Sequence, residues 1–389
     1  MVRAPIGVWL TIWLLCARCT AMALSLLSRI RALDRSELAA DFTSFECAGR
    51  CVGQVHTEAV LPVLLVSGAL ELAGGVLRPC ADDESVGAAA VARRTKQLIV
   101  AATALADAGI VKKLHAEEFA VAAGWGEPEL ARVNRAAAKF FGATSVGVHV
   151  MCHGGSDGDA APDWEDRDDS FVWMARRADD KSEAPGLWDP TAAGGLPAGT
   201  SVAEHAAAEA YEEAGVDAAL FSRAARATSA LSLMTADDTS RALKQSLYFC
   251  FDARVPRAWA PRAVDGEVSA FGRWSFDEIE REVREGERLR PAMRAVMLDF
   301  LIRHGHVTAD NEPAYIELQA ALHRPRLRLS DAHGPLPALT KTTARREASF
   351  TAIVKTCTSR RRNYTTRTRK HITRASHRRL RIRALRRAA

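Results

Sequence analysis

Three glutamates stand close together in one short segment of the chain. Glu209, Glu212 and Glu213 are spaced at i, i+3 and i+4, so in a helix their side chains emerge side by side. Like charges at this spacing repel each other unless a cation neutralises them. Mg²⁺ prefers oxygen ligands and commonly bridges protein carboxylates to substrate phosphates. The spacing therefore predicts a Mg²⁺ site, with Mn²⁺ as a second candidate; the alternative is a solvated acidic face of an amphipathic helix.

The segment that carries these glutamates has its own helix start and stop signals. Ser201 and Glu204 have the spacing of a capping box, and Gly215 is the residue type that tolerates a left-handed C-cap. A buried stripe of mostly small residues is predicted between them, formed by Ala207, Ala210, Tyr211 and Ala214. A glycine-rich stretch precedes the helix and would bring backbone close to the carboxylates.

This segment resembles the Nudix box, whose pattern is G-x5-E-x7-R-E-(apolar)-x-E-E-x-G-(apolar). The residues in register with the pattern are Gly194, Glu209, Ala210, Glu212, Glu213, Gly215 and Val216. Two positions depart from it: Thr200 replaces the first glutamate, and Ala208 replaces the arginine that helps to orient the metal-binding glutamates in the family. The resemblance implies metal binding by Gly194, Glu209, Glu212 and Glu213, and a catalytic role for Glu212 and Glu213.

A basic stretch before the box suits phosphate binding, because guanidinium groups grip a diphosphate bidentately and lysine adds a point charge. The stretch RRADDKSEAPGLWD parallels the R-R-x3-K-x3-P-G-x2-D approach to the box in a subgroup related to thiamine pyrophosphokinase. By this resemblance, the substrate-binding residues are Arg176, Arg177, Lys181 and Asp189. For each of them a solvated strand end is the alternative interpretation.

A second flanking motif lies downstream of the box. The order of Pro261, Asp265, Gly266, Glu267 and Val268 matches the subgroup's P-x3-D-G-E-V. In Nudix enzymes a downstream loop glutamate can bind a further metal or act as a base, which makes Glu267 a third catalytic candidate. A structurally ordinary turn at the Asp-Gly pair is the alternative.

The hydrophobic pattern predicts an α/β protein with two folded regions. Residues 25–142 are predicted to form a smaller α+β domain with a hairpin around Ala48-Gly49, a helix over 88–108 and a further helix over 127–140. By the resemblance to the Nudix family, residues 143–325 are predicted to form a Nudix α/β/α sandwich with a mixed sheet. Its first two strands would be SVGVHVMC and FVWMARR, joined by an acidic loop.

The two ends of the chain differ from its middle. Residues 1–23 combine Arg3, an apolar run and an A-x-A-like site, which is typical of a signal-like targeting leader. From Lys341 onward there are 17 basic residues and one acidic residue, whereas residues 1–340 hold 36 basic and 46 acidic residues. The segment 326–389 is therefore predicted to be a disordered basic tail that binds polyanions nonspecifically, without specific recognition of nucleic acid.

The eight cysteines lack the paired spacing of a structural zinc site, and the sequence does not decide whether Cys47 and Cys51 form a disulfide.

The middle of the chain resembles an intracellular enzyme. We therefore expect the leader to direct the chain to a plastid, and secretion is the alternative. The resemblance implies a Mg²⁺-dependent hydrolase that cleaves thiamine diphosphate, or its oxidised analogues, to the monophosphate and phosphate. The alternatives are an 8-oxo-type nucleoside diphosphate hydrolase (8-oxo-dGDP phosphatase) and a Nudix-fold binding protein without catalytic activity.

Overall fold

The structure, a computed structural model, describes residues 26–154, 170–181, 183–237 and 241–323. The predicted leader, most of the acidic loop and the basic tail lie outside these described residues. The chain divides into two compact units after residue 333, and all described residues belong to the first unit. Among the described helices, none has the length and apolar character needed to cross a membrane.

The described residues form both helices and strands. The helices are α1 (residues 26–31), α2 Leu61–Val66, α3 Ala88–Asp107, α4 Val202–Ala214, α5 Ala218–Ala224, α6 Phe276–Glu285, α7 Met293–Arg303 and α8 Tyr315–His323, with 3-10 helices η1 Ser36–Asp41 and η2 Ala138–Phe141. The strands of the first part are β1 Phe42–Cys47, β2 Arg50–His56, β3 Leu70–Ala73, β4 Val76–Pro79, β5 Glu118–Val121 and β6 Ala131–Asn134. Those of the second part are β7 Ser145–Gly154, β8 Phe171–Arg177, β9 Trp188–Asp189, β10 Ala192–Gly195, β11 Ala225–Asp237, β12 Ala242–Arg254 and β13 Val268–Ser275.

The first part of the chain contains a four-stranded sheet in the order β2-β1-β4-β3. Strands β1 and β2 form the predicted hairpin, and Ala48 and Gly49 adopt the positive φ angles that a tight two-residue turn requires. The long helix α3 confirms the helix predicted over 88–108. The thiols of Cys47 and Cys51 are free.

The helix predicted over residues 127–140 is wrong. This segment instead contains β6, which pairs antiparallel with β5, followed by the short helix η2. In β6 the buried residues Ala131 and Val133 alternate with partly exposed ones, as a strand with one buried face requires. The amide of Asn134 ties the end of the strand to His115, so tertiary pairing overrides the helix-forming tendency of the alanines.

The second part of the chain is a mixed seven-stranded sheet with the main order β11-β12-β7-β8-β13. Strands β7 and β12 run parallel, whereas β7 pairs antiparallel with both β8 and β10, which confirms the predicted hairpin of the first two strands. On β12, Cys250 packs in the core with α7, while Phe251 contacts Phe221 of α5 on the opposite face. Helices therefore cover both faces of the sheet, as the predicted α/β/α sandwich requires.

Two apolar clusters stabilise the described residues. One is formed mainly by α2, α3 and the strands of the first part, and it also includes Ala242 at the start of β12. The other lies between the mixed sheet and helices α6 to α8, and it includes Leu26, Leu27 and Ile30 of α1. The first and last parts of the described chain thus share a core, and a domain boundary at residue 142 stays a proposal.

Candidate active site

Helix α4 places the three glutamates where the sequence predicts them. The Ser201 hydroxyl accepts a hydrogen bond from the Glu204 backbone N–H at 3.3 Å, and Gly215 ends the helix at a φ of +69°. Ala207, Ala210 and Ala214 are buried. These small side chains let the helix approach β10 and β7 closely, which confirms the predicted caps and the alanine positions of the stripe.

Strand β10 brings backbone directly against two of the glutamates. A Cβ atom built on Gly194 would overlap the carboxylate of Glu209, so only glycine leaves space for this side chain. The Ala193 backbone N–H donates a hydrogen bond of 2.7 Å to Oε2 of Glu213. The strand before the helix therefore fixes the positions of both carboxylates.

The surroundings of these carboxylates disfavour their ionised forms. Burial, and then the charges of Glu212 and Glu267, raise the pKa of Glu209 to about 8. Burial, and then the charge of Glu209, raise the pKa of Glu213 well above its usual range, although the Ala193 hydrogen bond opposes this shift. Paired carboxylates with raised pKa values are the electrostatic signature of a cation site or an acid–base site.

Glu267 joins this group from a distant part of the sequence. Its charge acts on both Glu209 and Glu213, and its side chain pairs with Nζ of Lys181 at 2.5 Å. The Asp265 carboxylate accepts a hydrogen bond from the Glu267 N–H at 2.9 Å and holds the loop before β13. The structure thus brings together Glu267 and Lys181, which the two flanking motifs predict separately.

Arg177 and Asp189 form a buried ion network. Arg177 Nη1 and Arg290 Nε each lie 2.8 Å from an oxygen of Asp189, which is 5 % exposed. Burial alone would raise the pKa of Asp189, but the two guanidinium groups lower it below its usual value. Arg177 also donates to the carbonyls of Glu183 and Ala184, so its donors hold the loop that leads to β9.

The neighbouring Arg176 has a more open setting. It pairs with Asp179 at 2.9 Å and donates to the Ser269 hydroxyl at 3.0 Å, and its side chain is 35 % exposed. Of the four predicted substrate-binding residues, Lys181 is in direct contact with the carboxylate group, Arg177 and Asp189 support it from within the protein, and Arg176 lies at the partly exposed end of β8.

Two residues near the carboxylates were missed by the sequence analysis. His205 is buried one helical turn before Glu209, and its Nε2 lies 3.3 Å from Oε1 of Glu209. Burial lowers the pKa of His205 to about 4, so the imidazole is neutral at pH 7. The spacing of four residues between His205 and Glu209 could have predicted this contact from the sequence. No sequence signal could have predicted the contact of Arg290 with Asp189, because Arg290 lies between α6 and α7, about one hundred positions further along the chain.

Comparison with known proteins agrees with this geometry. Residues 161–296 match the sequence model of the NUDIX domain family, and this range contains β8, α4, Lys181 and Glu267. The segment that resembles the Nudix box, helix α4 with the strand before it, lies within the matched range. Ala208 and Thr200 stand where the pattern has an arginine and a glutamate.

The curated proteins that are similar to this chain include two from Arabidopsis thaliana. "Nudix hydrolase 24, chloroplastic" is 31% identical over 229 residues, which are 59% of this chain and 59% of the relative. "Nudix hydrolase 20, chloroplastic" is 29% identical over 229 residues, 59% of this chain and 58% of the relative. The chain thus spans less than two thirds of the length of both relatives.

Solved structures of low sequence identity also align with this chain. The MutT protein from Methanosarcina mazei is 15% identical, with a TM-score of 0.30, and the alignment covers 41% of this chain and 95% of that one.

The donor set of this site suits a hard divalent cation. Carboxylate oxygens of Glu209, Glu212, Glu213 and Glu267 are the ligand type that Mg²⁺ and Mn²⁺ prefer. The raised pKa values of Glu209 and Glu213 indicate that positive charge would be favourable there. Within the described residues, no three His, Cys, Asp or Glu side chains are already arranged so that they could hold a metal ion.

Proposed function

We propose that this protein is a Mg²⁺-dependent Nudix hydrolase that cleaves a small organic diphosphate to a monophosphate and phosphate. The carrying observation is the group of carboxylates of Glu209, Glu213 and Glu267, whose charges act on one another beside the Nudix box. Mn²⁺ is the second candidate metal. A group of this kind without a bound cation opposes its own ionisation, so its composition favours a metal-assisted reaction.

The residues of the site would have different roles in the reaction. A bound divalent cation would supply positive charge against the bridging phosphate oxygens and lower the pKa of an attacking water. Glu209 and Glu213 would hold it together with the backbone of Gly194. Glu212 would share the ligation or position the water. Glu267, held by Lys181 at 2.5 Å, is the candidate for a further ligand or a base.

The phosphates would be bound by cations on the approach to the box. Lys181 is 26% exposed in its side chain and lies beside Glu267, so it can contact a diphosphate that reaches the carboxylates. Arg176 is the more accessible of the two arginines. Arg177 and Asp189 would contribute to binding by holding the loop between β8 and β9, because their charged groups are occupied by each other and by Arg290.

The proposed substrate class is thiamine diphosphate or its oxidised analogues. The support is the sequence of both flanking motifs, RRADDKSEAPGLWD and DGEV, which resemble those of the subgroup related to thiamine pyrophosphokinase. The chloroplastic names of the two Arabidopsis relatives support a plastid location, to which the signal-like leader would direct the chain.

The test compares phosphate release by the full chain and by Glu213→Gln with Mg²⁺ present. Loss of the Glu213 charge is expected to lower kcat by about 100-fold or more, since a preorganised electrostatic contact at a reacting group commonly has an effect of this size. The matched control is Glu204→Gln on the exposed side of the same helix, whose backbone N–H, and not its side chain, makes the Ser201 cap. This variant should keep wild-type activity.

Three substrates separate the alternatives in that assay. Release of the monophosphate from thiamine diphosphate or oxythiamine diphosphate, faster than from 8-oxo-dGDP, supports the proposal. The reverse order supports the nucleotide hydrolase. No turnover of any diphosphate, with binding retained in Glu213→Gln, would identify a binding protein and refute the hydrolase.

A further inference from the structure

His205 is a buried residue of helix α4 at a position that the Nudix box pattern leaves open. It lies one helical turn before Glu209 and is only 7% exposed. Its ring nitrogen Nε2 is buried and has no hydrogen-bond partner among the described residues. A buried polar atom without a partner has lost its hydration and gained nothing in return. Such an atom beside a group of carboxylates points to a ligand.

The other ring nitrogen of His205 has a partner. The imidazole makes a hydrogen bond with the backbone of Gly195, the last residue of β10. Because Nε2 has no hydrogen-bond partner, Nδ1–H donates this bond to the Gly195 carbonyl. A neutral imidazole carries one N–H and one nitrogen lone pair. The bond to Gly195 therefore leaves the lone pair on Nε2.

This lone pair faces a carboxylate. Nε2 of His205 lies 3.3 Å from Oε1 of Glu209. Two atoms that present lone pairs to each other repel at this distance unless a positive charge lies between them. With metal–ligand bonds of about 2.0–2.2 Å, two neighbouring ligands of one metal ion lie about 2.8–3.6 Å apart. The observed separation falls within this range, so one ion can contact both atoms.

The hydrogen bond to Gly195 has the form that accompanies histidine ligands of metals. A histidine that binds a metal through one ring nitrogen usually donates the N–H of the other to a backbone carbonyl or a carboxylate, which fixes the ring. Strand β10 supplies this carbonyl from the residue after Gly194, against which the Glu209 carboxylate packs. The same short strand therefore positions both the ring of His205 and the carboxylate of Glu209.

We propose that His205 is an additional ligand of the cation at this site and binds it through Nε2, beside Glu209. Imidazole nitrogen is a ligand for transition-metal ions, whereas Mg²⁺ demands oxygen ligands. His205 therefore favours Mn²⁺ over Mg²⁺ at a site whose other donors are carboxylates. This inference deepens the proposed function and rests on it for the carboxylate ligands, but binding of Mn²⁺ is measured without any substrate.

Pulsed electron paramagnetic resonance of bound Mn²⁺ tests the ligand directly. The full chain is loaded with a substoichiometric amount of Mn²⁺, and the spin-echo modulation records coupling to nearby nitrogen nuclei. The wild type should show the coupling of a directly bound imidazole nitrogen. His205→Asn should lose it, because the asparagine amide can keep the bond to Gly195 but does not reach the position of Nε2. Mn²⁺-loaded wild type without this coupling would overturn the proposal, whether or not the variant folds.

Calorimetric titration with each metal tests the preference. His205→Asn should weaken Mn²⁺ binding about tenfold or more, since the loss of a group that merely orients a ligand commonly has an effect of this size. Mg²⁺ binding should change about threefold or less, because its ligands are the carboxylates. His205→Gln, which places an amide oxygen near the position of Nε2, should keep Mg²⁺ binding and lose the preference for Mn²⁺. Equal losses for both metals in His205→Asn would contradict the proposed role.

His304→Asn is the matched control. Nε2 of His304 lies 2.9 Å from Oδ2 of Asp252, which is the same pairing of an imidazole with a carboxylate. The Arg303 guanidinium already pairs with that carboxylate, so this pair needs no further cation. His304→Asn should keep the nitrogen coupling and both metal affinities of the wild type. Loss of the coupling in this variant would place the ion away from His205 and refute the assignment.

Phosphate release by the same preparations separates this inference from the proposed hydrolase. Nitrogen coupling without phosphate release would support His205 as a ligand and refute the hydrolase. Phosphate release by a protein whose bound Mn²⁺ shows no nitrogen coupling would refute the ligand and support the hydrolase. Binding of neither Mn²⁺ nor Mg²⁺ would refute both.

Discussion

Arg176 and Arg177 are neighbours in sequence with opposite surroundings in the structure. Because successive side chains of a strand point to opposite faces, one arginine points toward the partly exposed edge and the other into the protein. Arg177 shares Asp189 with Arg290, and all three side chains are less than one fifth exposed. At the scale of single residues, the same side chain type therefore serves two different purposes.

Substitution of each arginine by alanine should separate these purposes. Arg177→Ala leaves part of a buried ion network uncompensated, so we expect the free energy of unfolding to fall by about 3 kcal/mol. Arg176→Ala removes only a half-exposed pair, and we expect a change of about 0.5 kcal/mol or less. Chemical denaturation measures both.

The KM values of the Arg176→Ala and Arg177→Ala variants test the proposed phosphate binding. Arg176→Ala should raise the KM for the diphosphate while the protein stays folded. A stable Arg177→Ala variant, or an Arg176→Ala variant with wild-type KM, would contradict the division of roles drawn here.

At the scale of elements, α4 depends on its N-cap for its exact start. The Ser201 hydroxyl accepts from the Glu204 N–H at 3.3 Å, and Ser275 makes the equivalent cap on α6 by accepting from the Glu278 N–H at 3.1 Å. The two caps are chemically alike, but only the helix that begins at Ser201 carries the carboxylates. A comparison of variants at the two caps therefore separates the effect of a lost cap on the site from its general effect on stability.

We expect both Ser201→Ala and Ser275→Ala to lower the free energy of unfolding by about 1 kcal/mol, the usual effect of losing an N-cap. Only Ser201→Ala should also lower kcat, because fraying of the first turn loosens the helix that holds Glu209. Denaturation curves and phosphate release are measured on the same preparations. Equal kcat values for the two variants would show that the start of α4 does not control the site.

The strand pair β5–β6 shows how far element prediction could go. The alanines and charged residues of 127–140 favour a helix by propensity, yet pairing with residues 118–121 and burial of alternate side chains decide for a strand. The caps of α4 were predictable because their partners lie three residues apart. The strand was not, because its partner lies outside the segment and is joined to it only in the folded chain.

At the scale of the whole molecule, stability should depend on pH through α8, the last described helix. His323 lies 3.2 Å from Asp299 of α7. A hydrogen bond to Asp299 raises the pKa of His323 above the usual 6.5, although burial opposes the shift. A histidine whose pKa is higher in the folded than in the unfolded chain stabilises the fold while it is protonated. This stabilisation is complete below the ordinary histidine pKa and is lost as pH rises through the folded value.

Substitution of His323 by glutamine should remove that dependence. The melting temperature of His323→Gln should lie below that of the wild type at about pH 5.5 and approach it at about pH 9, where the wild-type histidine is neutral. Thermal melts across this range measure the difference. A constant difference, or one that grows toward alkaline pH, would exclude a stabilising role of the His323–Asp299 pair.

The sequence by itself determined the local features of this protein. The caps and small-residue face of α4, the glutamates at i, i+3 and i+4, the hairpin at Ala48-Gly49 and the alternation of the main strands follow from contacts between residues close in the chain. The tertiary structure decided which distant charges meet: Lys181 with Glu267, and Arg177 and Arg290 with Asp189. Propensity and spacing act over a few residues, whereas these pairings depend on how strands far apart in sequence are placed in register.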